Sequence, residues 1–149
     1  MGHMAAPKLT AKELEELLSP EFPSMFNRQG GYAIDEVWSG GSRVRKHYHA
    51  RSLRPGGTIA GTTMMTLADF APYVAVLATI GWVPLAVTTN LTINFLKKPA
   101  QRALIAEARL IKLGKRLAIG EVEIRSDGEE GLVAHVTSTY SIPPQSCDR

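Results

Sequence analysis

The sequence predicts an α+β domain: a six-stranded antiparallel sheet wrapped around one long central helix, preceded by a short N-terminal helix. Three observations carry that prediction. Between Pro55 and Leu96 the sole charged side chain is Asp69, while Arg43, Arg45, Lys46, Arg51 and Arg54 precede this window and Lys97, Lys98 and Arg102 follow it, so a core element lies between them. Inside the window, Met64 to Ile80 is an almost continuous apolar run of helical length. On either side, segments alternate apolar and polar with period two and are parted by Gly-rich turns, as antiparallel strands are.

Taken in order, Thr10 and Glu13 form a capping box for an amphipathic helix over residues 11–18, stopped by Pro20. Residues 32–38 and 43–48 read as strands flanking the turn Ser39-Gly40-Gly41-Ser42. The long helix has Thr62 or Thr63 as N-cap, bends at Pro72 and ends at Gly81. Its apolar side chains fall at every angle, so it needs cover on all sides. One sheet covers only one side. A second subunit or a second sheet must supply the rest, and a homodimer or homotetramer is expected.

Residues 87–95 alternate cleanly, with Val87, Thr89, Leu91, Ile93 and Phe95 on one face and Thr88, Asn90, Thr92 and Asn94 on the other. The neutral polar row is either a sheltered interface or pocket wall, or a Thr-rich solvent face. Residues 103–113, 116–126 and 132–142 complete a meander whose turns are Gly114-Lys115 and the run from Asp127 to Gly131. Three regions result: 1–30, holding the cloning-remnant-like Met1-Gly2-His3-Met4 and the N-terminal helix; 31–143, the main domain; and 144–149, a tail.

Composition narrows the function classes. The chain has 149 residues, 44% hydrophobic and 21% charged, as one globular domain has. The excess of 17 Lys+Arg over 14 Asp+Glu gathers in no run longer than two and aromatics are 7%, which argues against nucleic-acid binding. The helix carries Thr62, Thr63, Thr66, Asp69, Pro72 and Thr79, too polar for a membrane span. The single Cys147 can form no intramolecular disulfide, and a cytoplasmic location is expected. His47 and His49 share one side of a strand, but that spacing alone is an ordinary polar face, so no metal is expected.

A lone carboxylate in a charge-free stretch costs hydration unless donors replace the water. Asp69 therefore either pairs structurally, with Arg54 or a Thr hydroxyl, or serves as general base or nucleophile. Ahead of it the Gly-rich run 54–62 leads into the helix N-terminus, whose free N–H groups could polarise a carbonyl. Together these would make an acyl-transfer site.

Residues 57–69, G-T-I-A-G-T-T-M-M-T-L-A-D, resemble the G-T-V-H-G-G-x-x-x-x-L-A-D signature of the hotdog-fold acyl-CoA thioesterases of the phenylacetic-acid-degradation (PaaI-like) type. Residues 87–100 and 114–118 are similar to that family's third strand with its F-L-x-P-A ending and to its fourth hairpin, and the resemblance covers roughly 31–143. It implies that Asp69 activates water or attacks the thioester, that Gly61 polarises the carbonyl, and that Thr88 places the water, reaching Asp69 of a partner chain. It implies an acyl-CoA substrate with no separate cofactor, contacted by Arg54, Ala60 and Thr62 and, at the phosphates, by Lys97, Lys98, Lys115 and Arg116. The family's His and Asn are replaced here by Ala60 and Arg54. Arg54 could pair with Asp69, receive a carboxylate on a diacid acyl group, or face solvent. The missing His also argues against a hotdog hydratase, and the losses leave a non-catalytic acyl-CoA or lipid-binding module as the alternative to a thioesterase.

Overall fold

The computed structural model describes residues 5–144; the remnant-like Met1–Met4 and Cys147 lie outside them. The order is α1 (Ala11–Glu21), α2 (Pro23–Phe26), β1 (Tyr32–Trp38), β2 (Gly41–Lys46), a 3-10 turn (Ala50–Ser52), β3 (Leu53–Arg54), β4 (Thr58–Ile59), α3 (Gly61–Ile80), β5 (Val87–Phe95), β6 (Leu104–Leu113), β7 (Leu117–Ser126) and β8 (Ala134–Ser141). Six strands form one antiparallel sheet in the order β1-β2-β6-β7-β8-β5, and α3 lies against it. This is the hotdog arrangement.

Local chemistry explains most of the boundaries. The capping box forms: Thr10 Oγ1 accepts from the Glu13 N–H at 3.1 Å, and Glu13 Oε1 accepts from the Thr10 N–H at 2.9 Å. Pro20 does not stop α1, which runs on to Glu21, because a proline forfeits one N–H while the Phe22 N–H still reaches the Leu18 carbonyl at 2.8 Å. The first hairpin turns on Ser39-Gly40 with Gly40 at φ 95°, so Gly41 and Ser42 belong to β2 and not to the loop. The small sheet of β3 and β4 within the Gly-rich approach has too few residues to show a period in sequence.

The cap of α3 is Ala60, not Thr62 or Thr63, and no side chain satisfies the first-turn N–H groups. The helix continues through Pro72. Side chains of the sheet bond carbonyls of this turn: Ser42 Oγ donates to the Ala71 carbonyl at 2.7 Å, and the Tyr140 hydroxyl to that of Asp69. Gly120 of β7 faces Pro72, where a Cβ would stand 3.8 Å from the proline Cβ.

From Phe70 to Ala78 every side chain of α3 is buried within the single chain. The cover expected from a second subunit is supplied there by the chain's own N-terminal segment: α1 packs on β1 and α3, the Lys8 N–H reaches the Ala78 carbonyl at 2.7 Å, and Phe22 sets its ring edge against Phe70 and Tyr73 at 5.9 and 6.0 Å. Only the first half of α3 keeps an open stripe: Thr62, Met65, Thr66 and Asp69, spaced as one helical face.

Leu14 and Leu18 have no exposed surface and share the main core, whereas Leu17 on the next face is 38% exposed. Leu18→Ala should therefore lower the unfolding free energy by about 2–5 kcal/mol, and Leu17→Ala by about 0.5 kcal/mol or less. Urea denaturation of both variants checks that α1 is part of the core; equal losses would contradict it.

Candidate active site

The site is built from the middle of α3 and the inner faces of β5 and β8. Residues opposite one another in the β5/β8 pair include Thr88 and Tyr140, and the register slips at Thr89, a β-bulge. The bulge breaks the alternation that the sequence suggests. Leu91 and Ile93 pack towards the core, while Asn90, Thr92 and Asn94 stay exposed; beyond the bulge, Thr88 turns to the inner face instead of joining that polar row. Its Oγ1 donates to Asp69 Oδ1 at 2.5 Å within one chain, so the contact expected across subunits is made internally.

Asp69 itself differs from the expectation of a buried carboxylate. It is exposed in the single chain, because it lies on the open stripe of α3, and the absence of charge around it reflects the burial of residues 70–78 behind it. Among the described residues it makes no ion pair with Arg54; its side-chain donors are the hydroxyls of Thr88 and, at 3.1 Å from Oδ1, Tyr140. Tyr140 is 3% exposed, and burial followed by the Asp69 charge pushes its hydroxyl far above the usual phenol range, so it stays protonated. Burial likewise raises Tyr73 to about 12, and its hydroxyl donates to the Pro84 carbonyl at 2.9 Å.

These groups border a cavity of about 350 Å³ walled by Phe22, Met25, Phe70, Tyr73, Pro84, Ala86 and Val87, with Thr66, Asp69, Thr88 and Tyr140 as its polar side. Of the large apolar side chains of α3, Phe70 and Tyr73 line this cavity, whereas Met64 lines another and Met65 is 44% exposed. Tyr140, 71 residues from Asp69, and Phe22 and Met25, on the N-terminal segment, carry no sequence signal linking them to Asp69, since only the fold brings them together.

Gly61 opens a second cavity, about 440 Å³, shared with Arg54, Met64, Phe95, Lys97 and Lys98. Lys97 Nζ also donates to the Glu130 carbonyl at 3.1 Å. Ala60 and Thr62 flank Gly61, with Thr62 exposed. Arg116 lines neither cavity; it precedes β7 and its carbonyl accepts from the Ile142 N–H, at the end of the sheet away from Lys97 and Lys98. Gly61 and Asp69 are eight residues apart, about 12 Å along an α-helix, so one chain cannot bring both to a single carbonyl. Among the described residues no group of three or more His, Cys, Asp or Glu side chains gathers as a metal site.

Residues 56–133 match the family model described as the thioesterase superfamily. The chain belongs to that superfamily. A structure from Silicibacter sp. TM1040 assigned as a thioesterase is 42% identical, with a TM-score of 0.83 over 93% of this chain and 94% of that one. A Saccharolobus solfataricus protein assigned as an esterase is 32% identical, covering 91% of this chain and 87% of its own length. The PaaI protein of the Escherichia coli phenylacetic acid degradation operon, 20% identical, shares the fold with a TM-score of 0.74 over 89% of this chain and 91% of its own.

For a thioesterase-superfamily chain the general chemistry is thioester hydrolysis, which needs an activated water and donors for the oxyanion. The Asp69 group offers a candidate for the first. The uncapped N-terminus of α3 offers one for the second, 12 Å further along by the same rise per residue.

Proposed function

We propose that the protein hydrolyses acyl-CoA thioesters, with Asp69 as general base and with each site completed by a second copy of the chain. The carrying observation is that two hydroxyls meet the lone carboxylate of an otherwise uncharged helix beside an apolar cavity. The acyl group occupies that cavity. The carbonyl oxygen lies on the Gly61 N–H of the second copy, whose α3 runs antiparallel across the open stripe. Such an arrangement cancels the separation of Gly61 from Asp69 and covers Met65, and β5 is a free edge with Val87 56% and Phe95 50% exposed.

In the reaction Asp69 takes a proton from water as the water oxygen bonds to the carbonyl carbon. The oxyanion draws on the Gly61 N–H, the C–S bond breaks, and the departing thiolate takes the proton from Asp69, giving acid and thiol. Thr88 helps to hold the carboxylate and water. Arg54, Lys97 and Lys98, around the Gly61 cavity, suit the phosphates of coenzyme A.

Asp69→Asn should cut free-thiol release from an acyl-CoA panel by at least about 100-fold. Tight acyl-CoA binding without release, unchanged by this substitution, would instead favour a binding module.

Gly61→Pro isolates the oxyanion donor. It is the first residue of α3, where proline is tolerated, and Ala60 already has the extended conformation (φ −62°, ψ 144°) that precedes a proline. A Cβ there meets Phe95 Cζ at 3.4 Å. A loss of about 100- to 1000-fold with the fold intact is expected. Mixing the Gly61→Pro and Asp69→Asn proteins, with exchange of subunits, should restore activity, since a mixed pair holds one intact site; no recovery would count against a shared site.

Phe22 and Met25 close the acyl cavity from the N-terminal segment, outside residues 56–133. Phe22→Ala enlarges it, so the ratio of kcat/KM for long over short acyl chains should rise. A ratio that stays fixed would place the acyl group elsewhere.

A further inference from the structure

Tyr140 supplies one of the two hydroxyls that meet Asp69, yet the reaction scheme gives it no step, and the sequence motif does not include it. Its one hydroxyl proton is shared between two acceptors of one residue, the main-chain carbonyl of Asp69 and, at 3.1 Å, Oδ1 of its carboxylate. We propose that Tyr140 is a positioning residue that fixes the rotamer of Asp69, leaving Oδ2 aimed at the water.

The argument rests on Asp69 being the base and begins from its exposure. A carboxylate on an open helical face samples several rotamers, and only one of them points at a substrate in the cavity. Thr88, the other donor, comes from the edge strand β5 beside a bulge, the less constrained side of the pair. Tyr140 comes from β8, paired on both sides by β7 and β5, and is almost wholly buried. Its ring stacks on Tyr73 at 6.2 Å and 29°, and Tyr73 is tied through its hydroxyl to the Pro84 carbonyl. The phenol is thus the rigid reference against which Asp69 is set. Because both donors share Oδ1, the second oxygen is free to accept a proton.

Tyr140→Phe keeps the ring and its stack while removing the hydroxyl. It should lower kcat about 10- to 100-fold with KM and the Kd for a non-hydrolysable acyl-CoA thioether within about twofold, the signature of a group that acts on the chemical step. In the Asp69→Asn background the same change should add nothing. A purely structural role would lower the residual activity further and weaken analogue binding. Native kcat in a folded Tyr140→Phe protein overturns the proposal.

Should that variant not fold, Asp69→Glu tests the same point with Tyr140 in place. The carboxylate is retained but lengthened past the clamp, so kcat should fall by a similar factor, and full activity overturns the proposal. The base assignment fails separately, by near-native thiol release from Asp69→Asn.

Discussion

The packing of α3 is the constraint on which the rest of the molecule depends. A twenty-residue helix that is apolar on every side cannot stand on one face of a sheet. The sheet curls around it, and the N-terminal segment closes the side the sheet does not reach. Small residues make the close approach possible: Ala68, Ala71, Ala75 and Ala78 are fully buried, and Gly120 lies opposite Pro72. The same packing places one acidic residue just where the cover stops, so the carboxylate stands at the border between core and open surface.

That border explains the chemistry available to the site. A fully buried Asp69 would need its charge balanced by several donors, and a fully solvated one would have no fixed direction. Here two hydroxyls from the sheet hold one oxygen while the other side opens on an apolar cavity. The aromatic wall of the cavity is itself braced: Phe70 meets Phe22, Phe26, Tyr32 and Tyr73 at 5.7–6.2 Å between ring centres. In the proposed reaction, selectivity for the acyl group and orientation of the carboxylate thus draw on one rigid cluster. Of the two departures from the family signature, Arg54 lines the other cavity with Gly61 and Ala60 precedes Gly61 in the chain, so in the proposed reaction they bear on the carbonyl and coenzyme side.

The outer face of the sheet is of a different character. Glu36, Arg43 and Glu107 form one cross-strand chain of ion pairs at 2.7 and 2.8 Å, and Asp35, Arg45 and Asp127 another at 3.0 and 2.9 Å. Pairs of this exposure contribute little stability each. Their consequence is positional: Arg43 and Arg45, which precede the neutral window, pair on the outer face of the sheet and leave the inside to α3.

By itself the sequence determined the α+β class, the central helix and the strand segments, because period and the absence of charge are local properties of the chain; that absence singles out Asp69, whereas Gly61 and Thr88 are pointed to only by the family resemblance. It could not determine which way Thr88 faces, since the bulge at Thr89 arises from pairing with β8 and inverts the alternation that residues 87–95 display. Nor could it reveal Tyr140, Phe22 or Met25 as neighbours of Asp69, or that the N-terminal helix covers α3. Those depend on contacts between residues far apart in sequence, which only the packed tertiary structure creates. The about 12 Å between Gly61 and Asp69 follows from the rise of a helix, but that the two residues open on separate cavities is decided by the packing around each end of that span.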